Sequence, residues 1–243
     1  MCGRYSLFAD PGEVRDALGL SETPDLDSRY NCAPGQSLPT RRDADDGGLS
    51  RAEWGLTPSW VDDAAGLINA RVETVAEKPS FRAAYERRRP DGAESLEGPV
   101  AGRCVVPADG FYEWVETEGG KRPYRVAFAD DRPFAMAGLW SAREVVHEQT
   151  GLGAFAGGGE AGPETERVET FTVLTTDPND VVAELHHRMA VLLDPKDVGA
   201  WLTGDLDAAA VAEPYPGDEM RAYPVSTRVN SPDNDDPSLV EPA

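Results

Sequence analysis

Between Arg103 and Leu139 the chain alternates strand-like runs with turn residues, a succession that few architectures accept. Arg103-Cys104-Val105-Val106-Pro107 reads as a buried strand ending in the turn Ala108-Asp109-Gly110. Phe111-Tyr112-Glu113-Trp114-Val115 reads as the next strand, and Gly119-Gly120 marks a hairpin before Tyr124 to Phe128 and Phe134 to Leu139. Ser50 to Leu56 and the β-branched Thr170 to Thr175 are also strand-like. Leu67 to Thr74 is mixed and reads as a loop entering a helix.

Helices are short by comparison. Asp10 is placed to cap a helix with Pro11 at its first position, Glu13 as capping-box partner and Gly19 as its stop. Ser80 precedes a helix over Phe81 to Arg89 that Pro90 ends, Asn179 to Leu185 is helical, and Asp194-Pro195 opens a last helix that stops at Gly204. Strands outnumber helices and cluster mid-chain. The predicted class is therefore α+β, a single domain over 1–243 with a mainly antiparallel, barrel-like core and flanking short helices. A stretch at about 147–163 with six glycines reads as a flexible insertion, and the polar tail 231–243 reads as lacking regular structure.

No run of about 18 apolar residues exists to span a membrane. No basic region followed by an apolar stretch opens the chain, so a cytoplasmic location is expected. Cys2, Cys32 and Cys104 are odd in number and badly spaced for a disulfide framework or a C-x-x-C metal site. The expectation is no metal and no cofactor. The chain carries 44 acidic and 23 basic residues, a net charge of −21, and its only lysines are Lys78, Lys121 and Lys196. That balance resembles adaptation to a salt-rich cytoplasm, where screening is short-ranged. Net charge speaks to solubility and leaves the partner open, because the acids concentrate in loop-like segments.

Cys2 is the first chemical candidate. With Met1 trimmed it would carry an α-amine and a thiol on adjacent carbons, and such a 1,2-aminothiol closes on an aldehyde as a thiazolidine. Glu113 lies between two aromatics that would desolvate it towards general acid–base use, or else it is an exposed strand glutamate. His186 and His187 are two of three histidines, and as neighbours they point apart, which fits a group near a nucleophile better than one metal site. Asn69 and Arg71 share a face on an extended stretch and can hold a polar group or a phosphate. Arg4, Arg71, Arg82, Arg87 to Arg89 and Arg103 are candidates for a basic strip. Trp54, Trp60, Trp114 and Trp140 are core residues or, where exposed, stacking platforms.

An ordered set of motifs joins these candidates. Met1-Cys2-Gly3-Arg4-Tyr5 is followed by Tyr30-Asn31 with Ala33-Pro34 and Gln36, and by Trp54-Gly55-Leu56-Thr57-Pro58-Ser59-Trp60. Asn69-Ala70-Arg71 with Glu73-Thr74, Arg103-Cys104 to Pro107, and Gly110 to Trp114 come next. Ala137-Gly138-Leu139-Trp140, Thr175-Thr176, and His186 with Arg188-Met189 complete the set. Together they resemble the SRAP family of abasic site processing proteins, over residue 1 to about 240.

The resemblance implies a β-barrel-like core and a positively charged cleft for single-stranded DNA. Cys2 would capture the ring-opened aldehyde of an abasic site as a thiazolidine. By the same resemblance Asn69 would position Cys2 and the deoxyribose, Glu113 would serve as acid and base, and His186 would assist proton transfer. Arg4, Asn31, Pro34, Trp54, Arg71, Arg82 and Trp114 would bind the DNA, with single-strand/double-strand junctions among its targets. It also implies no cofactor, a monomer, and association with the nucleoid when bound. Ala190 stands where the family has proline, which would loosen the backbone behind His186. Two rivals remain: an N-terminal-nucleophile cysteine peptidase, and a non-covalent single-stranded DNA module for which Cys2 is dispensable.

Overall fold

The computed structural model describes residues 2–45, 47–58, 60–61, 66–90, 93–147 and 164–243. A ring of strands closes on itself at its centre. Strand β3 (Ser37–Arg42) pairs antiparallel with β4 (Ser50–Trp54) and with β6 (Ala101–Ala108). Strand β6 pairs antiparallel with β9 (Phe134–His147), and β9 with β10 (Glu164–Thr176). Strand β10 then runs parallel to β4, Phe171 opposite Trp54, and completes the barrel. Closure removes the unpaired edges that an open sheet exposes. Leu38, Trp54, Cys104, Trp140, Phe171 and Val173 share one buried face of the ring, as the register of its pairs requires.

Short strands extend this sheet: β5 (Asn69–Arg71) lies parallel to β10, β11 (Met189–Ala190) antiparallel to it, and β12 (Leu192–Leu193) antiparallel to β9. A second, open antiparallel sheet has the order β13 (Met220–Pro224), β8 (Gly120–Phe128), β7 (Gly110–Thr117), β1 (Tyr5–Leu7), β2 (Arg29–Cys32). The α+β reading with a barrel-like core holds.

Asp109-Gly110 is where the chain passes from one sheet to the other. Asp109 is buried and takes the Phe8 and Ala9 main-chain N–H groups, the Ser6 hydroxyl at 2.6 Å and the Arg125 guanidinium at 3.0 Å. Position 110 has no room for a side chain, since a Cβ there would lie 2.6 Å from Arg125 Cζ. This corner ties β1, and with it the Cys2 end, to both sheets.

The helices follow the sequence signals except at their ends. Helix α1 (Pro11–Leu18) is capped by Asp10, which accepts from Gly12 N–H at 2.7 Å, and it stops at the left-handed Gly19. Helix α4 (Pro195–Thr203) stops at Gly204 in the same way. Helix α2 (Pro79–Tyr85) begins before Ser80 and does not reach Arg89. Arg87 takes φ +56° there, and its guanidinium bonds Asp43 at 2.7 Å and the Thr203 carbonyl at 2.6 Å, tertiary bonds that outweigh helix continuation. Residues 180–183 form α3 (Asp180–Ala183), capped by Asn179 through Val182 N–H at 3.0 Å.

Two expectations are corrected. Residues 69–74 are strand β5 followed by one 3-10 turn (Val72–Thr74), because β10 supplies a parallel partner. The tail does have regular structure, a 3-10 turn over Pro237–Val240, because Leu239 is buried beside Tyr112, Val225 and Val229. The insertion expected at about 147–163 lies outside the described residues apart from His147, the end of β9. Among the described residues no helix is long and apolar enough to cross a membrane.

Candidate active site around Cys2

The site forms where β1, β5, β7 and the segment after α3 meet. Strand β1 pairs with β7, Tyr5 opposite Phe111, and Tyr112 N–H donates to the Arg4 carbonyl at 2.9 Å. Continuing that register sets Glu113 beside Gly3, one residue from Cys2. Cys2 is fully buried, and burial together with the Glu113 charge pushes its thiol up to about 12. The thiol therefore stays protonated near neutral pH and needs a base when it reacts.

Glu113 is 2% exposed, which disposes of the exposed-strand alternative. Burial raises its carboxyl to about 7, so both protonation states are populated near neutrality. Strand alternation explains the placement. Phe111 joins the main core that contains Cys2, whereas Tyr112 and Trp114 belong to the small cluster on the other side of β7.

Asn69 reaches the site because β5 is anchored on both sides. Leu56 and Leu67 form an antiparallel bridge, with Gly66 against Gly55 so closely that a Cβ on Gly66 would lie 2.6 Å from the Gly55 Cα. Trp54 Nε1 donates to the Ile68 carbonyl at 2.9 Å, immediately before Asn69. Asn69 Nδ2 then donates to the Cys2 carbonyl at 2.9 Å.

His186 follows α3. His186 Nδ1 lies 3.0 Å from the Arg188 main-chain nitrogen and 3.1 Å from the Arg188 carbonyl, so the Arg188 backbone holds the ring through Nδ1. Burial lowers the His186 pKa, favouring the neutral ring. His187 stacks on it with centroids 4.2 Å apart. Arg188 is itself clamped: Nη1 bonds Glu73 at 2.6 Å and Asp177 at 2.9 Å, while Nη2 bonds Glu73 at 2.8 Å and the Thr175 carbonyl at 2.6 Å. The guanidinium joins the His186 segment to the 3-10 turn that follows Asn69 and Arg71, and holds Glu73 below the usual carboxylate range. Ala190, buried in β11, pairs with Thr175, so the strand fixes the backbone there without a proline.

The expected DNA contacts divide. Pro34, Arg71 and Arg82 are exposed, and Trp114 and Arg4 are half-buried. Trp54 is 1% exposed and stacked in the core against Phe171, so it supports β5 and presents no face to a base. Asn31 is fully buried, with Oδ1 taken by Arg4 and Nδ2 by tail carbonyls, which makes it a support for Arg4. Arg103 is not part of a basic strip, since its guanidinium lies 4.4 Å from both the Tyr85 and Trp201 rings. Arg87 and Arg88 are paired with Asp43 and Glu86, and Arg89 donates to the carbonyls of Ala93, Leu96 and Gly98.

Sequence reasoning missed Asn230 and Asp235, which hold Trp114 and β2. Their signal was the Asn/Asp/Ser/Pro run at 230–237, a pattern of side-chain-to-backbone bonds. Among the described residues, no three His, Cys, Asp or Glu side chains are grouped to hold a metal ion.

Residues 1–90 and 96–232 match the family "SOS response associated peptidase (SRAP)". The Abasic site processing protein YoqW of Bacillus subtilis is 33% identical over 253 residues, which cover 99% of each chain. The Abasic site processing protein HMCES of Gallus gallus is 29% identical over 292 residues, all of this chain and 78% of that one. A crystal structure of a protein from Bacteroides thetaiotaomicron superposes with a TM-score of 0.75 at 26% identity and full coverage of both chains.

Proposed function

The chain belongs to the SRAP family, and on that premise we propose that it processes abasic sites by capturing them covalently in single-stranded DNA through Cys2. The observation that carries this reading is the meeting of three groups at one point. A buried Cys2 lies beside a carboxyl that titrates near 7, with its carbonyl held by Asn69.

Hydrolysis of the Met1–Cys2 peptide bond first frees the α-amine, which is where peptidase chemistry enters this reading. The amine adds to the C1′ aldehyde of the ring-opened sugar, and the carbinolamine loses water to give an imine. Cys2 Sγ then adds to C1′, its proton passes to nitrogen, and a five-membered thiazolidine closes. The net change is protein plus oligonucleotide minus one water.

Glu113 in its acid form gives the proton that carries off the carbinolamine oxygen, and in its base form takes the thiol proton. His186 assists proton transfer as a second group beside Glu113. The imine also activates C2′ for β-elimination, so a lyase side reaction competes with ring closure. Arg4, Arg71 and Arg82 take phosphates, Trp114 and Pro34 meet the bases and sugars, and Asn31 and Trp54 act from beneath. The arginines make the cleft locally positive within an acidic exterior. The protein acts as a monomer in the cytoplasm, on the nucleoid.

The test is intact mass before and after incubation with a single-stranded oligonucleotide bearing one abasic site. The expected result is loss of Met1, then a gain equal to the oligonucleotide minus water that survives denaturation and is absent in Cys2→Ala. Retained Met1 with no adduct would overturn the reading, as would a denaturation-resistant adduct in Cys2→Ala.

A further inference from the structure

Residues 226–240 lie outside both sheets, as two 3-10 turns (Thr227–Asn230 and Pro237–Val240) joined by a polar stretch. The segment is nonetheless firmly placed. Val225, Val229 and Leu239 pack with Tyr112 into a cluster separate from the main core, flanked by Tyr30 and Trp114.

Its polar contacts converge on the residues read above as the DNA-holding half of the site. Arg4 Nη1 donates to Asn31 Oδ1 and to the Val229 carbonyl, each at 2.9 Å. Asn31 Nδ2 donates to the Ser231 carbonyl at 2.9 Å and the Asn234 carbonyl at 2.7 Å. Asp235 accepts from Tyr30 N–H at 2.5 Å and Asn31 N–H at 3.0 Å, and its other oxygen takes Arg29 Nε at 2.5 Å. Trp114 Nε1 donates to Asn230 Oδ1 at 2.8 Å.

The chemical half is held from elsewhere. Cys2 is tied to Asn69 on β5, and His186 to the Arg188–Glu73 clamp. Alternation along β7 keeps the two halves apart. Glu113 lies between Tyr112 and Trp114 in sequence, and those two side chains join the segment's cluster.

We propose that residues 226–240 are a positioning element that sets the DNA affinity of the site independently of its covalent chemistry, with Asp235 and Asn230 as the positioning residues. Asp235 orders β2 and thereby Asn31, which in turn aims the Arg4 guanidinium. Asn230 fixes the plane of the Trp114 indole. This inference rests on the abasic-site reading above.

The test compares the full-length protein with Asp235→Ala and Asn230→Ala in two reactions. In the first, adduct formation is timed against increasing abasic oligonucleotide, which separates half-saturating concentration from saturated rate. In the second, Cys2 is reacted with glyoxylate, a small aldehyde that needs no DNA contact, and thiazolidine is read by mass. The expected result is a half-saturating concentration raised about tenfold in Asp235→Ala, which removes three bonds, and less in Asn230→Ala, which removes one. Saturated rate and glyoxylate reaction stay at the wild-type level. An unchanged half-saturating concentration in both variants overturns the inference, and so does a parallel loss of glyoxylate reactivity, which would make the segment a general support of the fold. If Asp235→Ala fails to fold, exposed Asn230, which contributes a single bond to Trp114, decides alone. Absence of any adduct in the wild type instead sinks the abasic-site reading itself.

Discussion

Asn69 donates one amide hydrogen to the Cys2 carbonyl at 2.9 Å, while its Oδ1 is buried with no partner among the described residues. A buried acceptor left unpaired is costly, on the order of 1–3 kcal/mol. On the proposed reading that oxygen is placed to receive the freed Cys2 amine or a sugar hydroxyl. Replacing Asn69 by Asp keeps the shape and removes the donor. Adduct formation with abasic DNA is expected to slow about tenfold or more, read on denaturing gels over time.

Glu113→Gln should slow capture about 100-fold or more, because the replacement can neither give nor take a proton. The wild-type rate should change around pH 7, where the carboxyl titrates, and the variant should lose that inflection. A rate profile identical in the two proteins would remove Glu113 from the chemistry.

The same residue makes a stability prediction. Its folded pKa is raised above the unfolded value, so its stabilising contribution is complete below about 4.5 and is lost as pH rises through about 7. At pH 8 the wild type holds a buried carboxylate that the variant lacks. Glu113→Gln should therefore melt higher than the wild type at pH 8, by up to about 3 kcal/mol, with the gap closing towards pH 4.5. Calorimetry across that range measures it.

Arg71 and Arg82 are exposed on β5 and α2. Each Ala substitution should weaken binding of an oligonucleotide carrying a non-reactive abasic analogue. The slope of log K against log salt should flatten by about 0.7 for each phosphate that is no longer neutralised. Anisotropy titrations at several salt concentrations give that slope.

Asp109→Ala would leave the Arg125 guanidinium, 1% exposed, without its hydrogen-bonded carboxylate, and only the half-exposed Asp131 at 3.8 Å as counter-charge. Removing one partner of a buried pair costs about 3–5 kcal/mol, so a large drop in melting temperature is expected. The corner that holds β1 would loosen with it, and capture should fall in proportion to the unfolded fraction.

Much of this molecule was legible in its sequence because local chemistry carried it. Gly19 and Gly204 end their helices as their left-handed backbones require, and the hairpin read at Gly119-Gly120 is there one residue earlier, with Glu118-Gly119 between paired Thr117 and Gly120. What escaped was set by distant partners. Arg87 leaves the helix for Asp43 and Thr203, and Asn69 sits on a strand because β10 runs beside it. Cys2, Asn69, Glu113 and His186 could be named as candidates from residue type and order. Burial, which raises Glu113 and takes Trp54 and Asn31 away from any DNA surface, depends on packing that no local pattern states.

The bond from Arg4 to the Val229 carbonyl joins residues 225 positions apart. Closing a loop of that length costs about 5 kcal/mol of chain entropy before any contact is made. Such a pairing forms late in folding, after the sheet that frames it, and is seated by the packing of Val225, Val229 and Leu239 on Tyr112. On the proposed reading the region around Cys2 is thus finished in two stages, with the residues assigned to DNA completed last. In hydrogen exchange, the Tyr30 and Asn31 amides that Asp235 accepts should trade their protons far sooner than those of β9 and β10. Opening of that edge would leave the surroundings of Cys2 intact and release only the hold on DNA proposed above.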